Sequence, residues 1–191
     1  MTETEIQFEA FRKIARLNRD IVVTEKIDGT NAQVFISDDV VNPTILFGSR
    51  TRWLDEKNDN HGFYAWANAH RDDLLKLGPG RHYGEWWGQG IQRKYGLTEK
   101  RFSLFNTGKW NTENLPAAVG VVPVLYEGPF LTGVVAAMVE LLRRDGSTAA
   151  PGFMNPEGVV VYHTHANQYF KVTVKDDEIP KSLGKGDTNP T

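Results

Sequence analysis

Strand-forming runs of five to eight residues, each closed by a turn signal, recur along most of this chain. That rhythm constrains the fold more than any other feature. The first run is DIVVTEKI at 20–27, rich in β-branched residues. Asp28-Gly29 follows, a dipeptide that favours a tight turn. Ala32 to Ser37 reads as the returning strand, closed by Asp38-Asp39, and TILFG at 44–48 as a third. Further short strands are expected at 81–87, 101–106, 120–126, 157–163 and 168–175. Three segments carry helical spacing instead. In residues 1–19, Ile6, Ala10, Ile14 and Leu17 fall on one face, with Asn18 at the C-terminal end. In 62–77 the stripe is Phe63, Trp66, Ala67, His70, Leu74 and Leu77, ended by Gly78-Pro79-Gly80. The third is LTGVVAAMVELLRR at 131–144. Many short strands with two or three helices predict an α+β fold built on antiparallel sheet.

A chain of 191 residues with 40% hydrophobic content can bury a core of its own. Its net charge of −2 excludes wrapping nucleic acid by global positive charge but leaves room for a local basic groove. Cysteine is absent, which excludes disulfides, thiolate metal sites and a thiol nucleophile. No apolar run reaches the ~18 residues of a membrane span, and MTETEIQFEAF does not resemble a signal peptide. A cytoplasmic protein with no membrane partner is expected. From Lys175 the chain turns polar and rich in Gly and Pro, so the expected organisation is one domain over residues 1–175 and a disordered tail over 176–191.

Glu25-Lys26-Ile27-Asp28-Gly29-Thr30-Asn31 sits where the first strand meets its turn. Strand parity puts Thr24 and Lys26 on one face and Val23 and Glu25 on the other. A lysine here is either a solvated cation or a nucleophile. A free lysine amine, titrating near ~10.4, is protonated at neutral pH. Nucleophilic use therefore requires surroundings that favour the neutral form. Gly29, lacking a Cβ, lets the backbone approach a ligand closely.

The seven-residue string resembles motif I of the covalent nucleotidyltransferases, the superfamily of ATP-dependent ligases and mRNA capping enzymes. Glu before the lysine and Thr-Asn after the glycine resemble its RNA ligase branch, the family typified by phage T4 RNA ligase 2, whose members often have His at the place of Asp28. Further motifs of that family follow in order. Ser49-Arg50-Thr51-Arg52 matches motif Ia and Tyr83-Gly84-Glu85-Trp86 motif III. Arg101-Phe102-Ser103-Leu104-Phe105 resembles motif IIIa, Pro156-Glu157-Gly158-Val159-Val160-Val161 matches motif IV, and Tyr169-Phe170-Lys171-Val172-Thr173-Val174-Lys175 resembles motif V.

The resemblance implies an antiparallel-sheet nucleotidyltransferase domain, ATP-grasp-like, and an ATP-dependent RNA ligase. It implies that Lys26 attacks the α-phosphate of ATP to form lysyl–AMP, and that Lys171 neutralises that phosphate. Nucleotide binding falls to Glu25, Lys26, Asp28, Asn31, Arg50, Glu85, Phe105, Lys171 and Thr173. Among these, Arg50 would hold phosphate or ribose, Glu85 would accept from a ribose hydroxyl, and Phe105, with Phe102 as competitor, would stack on adenine. Glu157 would bind Mg²⁺ or Mn²⁺. AMP would then pass to a 5′-phosphate end, and a 3′-hydroxyl would displace it to seal the strand, a chemistry of RNA repair.

Two departures stand out. No C-terminal OB-fold is expected after motif V, and a protein partner or a dimer is the expected substitute for its grip on nucleic acid. The usual Lys-x-Lys of motif V reads Lys171-Val172-Thr173, with Lys175 one pair step further along the same face. The alternatives are a DNA nick ligase, a capping-type guanylyltransferase, and a degenerate domain that binds nucleotide or nucleic-acid ends without sealing. His163 and His165 alternate without a third ligand and are discounted as a metal site; Arg93 and Lys94 are expected on an exposed loop after motif III.

Overall fold

The computed structural model describes residues 7–175. Residues 1–6 and the expected tail 176–191 lie outside the described residues. Two sheets form the frame. One is four-stranded in the order β7-β1-β8-β9, from Val124–Pro129 (β7), Asp20–Lys26 (β1), Gly158–His163 (β8) and Gln168–Thr173 (β9). All its pairings are antiparallel. The other is five-stranded in the order β3-β2-β4-β5-β6, from Ile45–Ser49 (β3), Thr30–Ile36 (β2), Gly80–Gly88 (β4), Lys100–Leu104 (β5) and Gly120–Val121 (β6). It is antiparallel except for the β5–β6 pair.

Each sheet buries the apolar half of its alternation against helices. Ala32, Val34, Phe47, Trp86, Phe102 and Leu104 pack under Phe63–Ala69 (α1) and Arg71–Leu75 (α2) through Phe63, Ala67 and Leu74. Ile21, Val23, Val159 and Val161 pack under Val134–Asp145 (α3) through Val139 and Leu142. The opposite faces carry the polar half of the pattern, including Lys26 on β1 and Glu85 on β4. A third cluster, Ile27, Trp87, Tyr95, Val122 and Ala150, fills the junction between the sheets.

The mixed α+β class agrees with the sequence, but four local readings change. Asp28-Gly29 does not close a hairpin: β1 pairs with β7 and β8, whereas β2 pairs with β3 and β4. The dipeptide carries the chain from one sheet to the other. Gly29 is needed there for close approach to β4, since a Cβ would lie 2.4 Å from the Trp86 carbonyl oxygen and 2.8 Å from the Trp87 Cβ. The strand expected at 120–126 is two strands in different sheets, β6 and β7, divided at Val122-Pro123. Proline has no N–H to give a ladder, and the Pro123 carbonyl instead accepts from Glu25 N (2.9 Å). The helix expected at 62–77 is broken at His70, whose φ of −111° ends α1 before α2 begins.

Within the described part of the helix expected over 1–19, residues 7–17 form neither helix nor strand. Phe8, Phe11, Ile14 and Leu17 stand 92%, 89%, 79% and 63% exposed. A short helix is stable in water only when its apolar face is buried, and here nothing covers it among the described residues. No helix among the described residues is long and apolar enough to cross a membrane.

Candidate active site

Lys26 is the last residue of β1, at the crossing between the sheets. Its Nζ lies 2.6 Å from Glu157 Oε2, with the two side chains 24% and 17% exposed. Glu157 immediately precedes β8, and the next residue, Gly158, lets β9 pack closely against that strand. Gly158 pairs with both Lys26 and Thr173. Its φ is +157°, and a Cβ there would lie 2.1 Å from the Val172 carbonyl oxygen. A side chain at this position would push β9 away from the sheet.

Cross-strand pairs lie on the same face of a sheet. Thr24 pairs with Val160 and Val160 with Lys171, while Lys26 pairs with Gly158 and Gly158 with Thr173. Lys171 and Thr173 therefore share the face of Lys26. Thr173 stands in its row, about 10 Å away across two strand spacings. Lys175 is committed elsewhere, its Nζ donating to Asn155 Oδ1 (3.3 Å). Val172 and Val174 pack toward α3 as parity requires. Phe170 shares their face by parity but is 57% exposed, since it lies on an edge strand outside the cluster that α3 covers.

Glu85, on the other sheet, pairs with Asn31 and is 7% exposed. Its carboxylate accepts from Gly29 N (3.0 Å) and Asn31 Nδ2 (3.0 Å). Burial lifts its carboxyl to about 7; the two hydrogen bonds and the charge of Lys26 oppose that rise, and the charge of Glu157 adds to it. The bond from Gly29 N places Glu85 beside the chain three residues after Lys26, at the crossing between the two sheets.

Asp28 holds the crossing. Its N–H donates to Tyr95 Oη (2.8 Å), and its carboxylate accepts from Arg93 Nε (2.9 Å). Arg93 is therefore not the free loop cation expected from sequence; it also donates to the Asn155 carbonyl (3.2 Å), tying the loop before Glu157 to the loop after Lys26. Tyr95 is buried against Trp87 and Phe153, and burial pushes its phenol up. Sequence reasoning missed Tyr95 and Asn155, and nothing local to either distinguishes it from a loop residue.

Glu25 is placed differently from its expected nucleotide-binding role. Parity turns its side chain away from Lys26, and it is 1% exposed. Its carboxylate accepts from Ser147 Oγ (2.6 Å), Thr148 N (2.8 Å) and Ala149 N (2.8 Å). Burial still raises its carboxyl above the ordinary value, against those three hydrogen bonds. It staples the segment after α3 to the back of β1.

Phe105 and Phe102 are separated by parity. Phe102 is fully buried against Phe63 and Trp66. Phe105 is 38% exposed on the face that carries Glu85, its N–H donating to the Tyr83 carbonyl (3.0 Å). Arg50 follows Ser49, which pairs with Ala32, so it leaves β3 at the level of Asn31 and is exposed. His163 is a satisfied core histidine, with Nε2 on the Leu17 carbonyl and Nδ1 accepting from Ala166 N. Among the described residues no group of three or more His, Asp or Glu is placed to hold a metal ion by itself.

A family model described as RNA ligase matches residues 19–175. No curated protein sequence matches the chain. Solved structures of a Naegleria gruberi RNA ligase share the fold. A mutant of that enzyme with ATP and Mn superposes with a TM-score of 0.60 at 21% identity, covering 83% of this chain and 51% of the other. A mutant with AMP and Mn gives 0.59 at 21%, covering 82% and 50%. An apo mutant gives 0.58 at 22%, again covering 82% and 50%. The chain thus spans about half the length of these structures.

Proposed function

The chain belongs to the RNA ligase family, and on that premise we propose that residues 1–175 are the adenylylating domain of an ATP-dependent RNA ligase working through lysyl–AMP. The observation that carries this reading is the Lys26–Glu157 pair, 2.6 Å apart at the crossing between the sheets, with the buried Glu85 of the other sheet accepting from Gly29 N three residues further along the chain. The Glu157 carboxylate fixes the Lys26 amine at the sheet crossing, which supports a positioned side chain over a solvated one.

The first step transfers AMP to the enzyme. Lys26 Nζ, once deprotonated, attacks the α-phosphorus of ATP. An N–P bond forms, the bond to the bridging oxygen breaks, and pyrophosphate leaves with the electron pair. Lys171 supplies positive charge to the α-phosphate from the same sheet face. Thr173, in the row of Lys26, contributes a hydroxyl where the family pattern has a second lysine. Glu85 and Asn31 orient the ribose, Phe105 presents a ring to adenine, and Arg50 lies within the same strand level for phosphate or ribose.

Among the described residues, Glu157 is the carboxylate that would hold a divalent ion beside Lys26. That fits Mg²⁺ or Mn²⁺, which bind through one or two carboxylates and take their other ligands from nucleotide phosphate and water. When bound, the ion offsets charge on the phosphates. Glu157, holding such an ion, would no longer serve as the sole acceptor of Lys26. In the later steps AMP moves to a 5′-phosphate and a 3′-hydroxyl displaces it.

The test is incubation with ATP labelled on the α-phosphate. Label should appear on the protein, require a divalent metal and vanish in Lys26→Ala. Label from GTP instead would make this a capping-type enzyme, and no label under any metal would leave a binding module. Sealing of nicked RNA, DNA and hybrid duplexes then decides the substrate.

A further inference from the structure

Beyond Glu85, the polar face of the five-stranded sheet continues outward along β4 and β2. Tyr83 and Arg81 follow Glu85 at alternate positions, each step about 7 Å. Across from them on β2 stand Gln33, paired with Tyr83, and Phe35, paired with Arg81. Trp53 closes over this end, bridging to Gly48 of β3, with its ring centroid 6.2 Å from that of Phe35.

These groups form a built surface. The Arg81 guanidinium lies over both rings, 5.0 Å from the Phe35 centroid and 5.3 Å from that of Trp53, and donates to Gln33 Oε1 (3.2 Å). No carboxylate pairs with Arg81 among the described residues. Trp53 is 44% exposed and Tyr83 51%, large aromatic areas to leave in water. On this face of β2 to β5 the one carboxylate is Glu85, which is buried. Exposed flat rings and an unneutralised cation, on a strand face whose own residues carry no exposed acid, match a polyanion with stackable bases; Asp55 and Glu56, exposed on the segment after Trp53, bound that surface on one side.

We propose that Trp53, Arg81 and Tyr83 form a stacking platform for a single-stranded nucleic-acid segment leading away from the adenylylation site. It rests on the RNA ligase reading for the identity of the polymer and extends it to a surface outside the nucleotide pocket. Continuity supports this occupant: the platform and Glu85 lie on one face of the same strand, about 14 Å apart along β4. Bases stack on Trp53 and Tyr83 with little sequence preference, and Arg81 takes a phosphate.

The test is binding of a short fluorescent single-stranded RNA, read by anisotropy, to the full chain and its Trp53→Ala, Trp53→Phe and Arg81→Ala variants. Thermal melting and ATP self-labelling are measured on the same preparations. Trp53→Ala should weaken binding about 10-fold or more, Trp53→Phe should restore most of it, and Arg81→Ala should lower the salt slope by about one. Melting and self-labelling should stay at wild-type levels in all three. Unchanged RNA affinity in both alanine variants would overturn the platform. So would a wild-type dimer that Trp53→Ala makes monomeric while RNA binding persists, since the occupant is then a second copy. Failure of wild-type self-labelling would instead overturn the ligase reading, whatever the RNA result.

Discussion

Glu85 should cost the folded protein stability as pH rises, and Glu85→Gln should recover it while removing function. The carboxyl has an ordinary value of 4.5 and is lifted to about 7 by burial. A group whose affinity for protons is raised by folding contributes fully below its unfolded value, and that contribution is lost as pH climbs through the folded one. The window thus opens near 4.5 and extends past about 7. Each tenfold change in proton affinity is worth ~1.4 kcal/mol, so the penalty above the window is about 3 kcal/mol. Glutamine has the same shape without the charge. Its Oε1 accepts from Gly29 N as Glu85 does, and its amide donates to Asn31 Oδ1 once that side chain flips. The assay is urea unfolding of wild type and Glu85→Gln between about pH 5 and about pH 8.5, taking the difference so that other titrating groups cancel. The difference should be small at the acid end and grow to about 3 kcal/mol in favour of the variant at the alkaline end. Self-labelling by ATP should fall sharply in the same variant. A difference independent of pH, or a variant less stable at high pH, would refute an electrostatic penalty at Glu85.

Glu157→Ala should leave melting near wild type, since its partner Lys26 can turn to water, but should lower adenylylation by on the order of 10²-fold, as for loss of one transition-state stabiliser; full activity at limiting magnesium would remove its metal role. Lys171→Ala should nearly eliminate adenylylation, whereas Lys175→Ala should cost little because that amine is tied to Asn155; equal loss in both would make Lys175 the displaced second lysine of motif V. Thr173→Lys should be tolerated in the same assay. Glu25→Ala leaves Ser147 Oγ and two backbone N–H groups without their acceptor and should destabilise by about 3–5 kcal/mol, read by urea unfolding, with Glu25→Gln much milder.

Much of the active face was legible in the sequence because strand parity is local. Alternation alone placed Lys26 with Thr24 and against Glu25, and Lys171 with Thr173, and the order of the motifs carried the family. Pro123 carried a break signal that the strand expected at 120–126 ran through, since a missing N–H argues against an uninterrupted strand. Parity could not say which strand pairs with which. Asp28-Gly29 has the composition of a hairpin turn, and only the packing of Gly29 under the Trp86 carbonyl makes it a passage between sheets. Nor could local pattern foresee that Glu25 would be sealed against Ser147, 122 positions away, or that Arg93 would span Asp28 and Asn155. The apolar spacing of Ile14 and Leu17 is equally helical on paper, yet a helix forms only where another surface takes its face, and among the described residues none does. Local alternation was enough to locate most of the strands and to assign the faces of β1 and β9 with the chemistry they offer. The tertiary structure alone decided which faces meet, because pairing and burial depend on contacts between residues far apart in the chain.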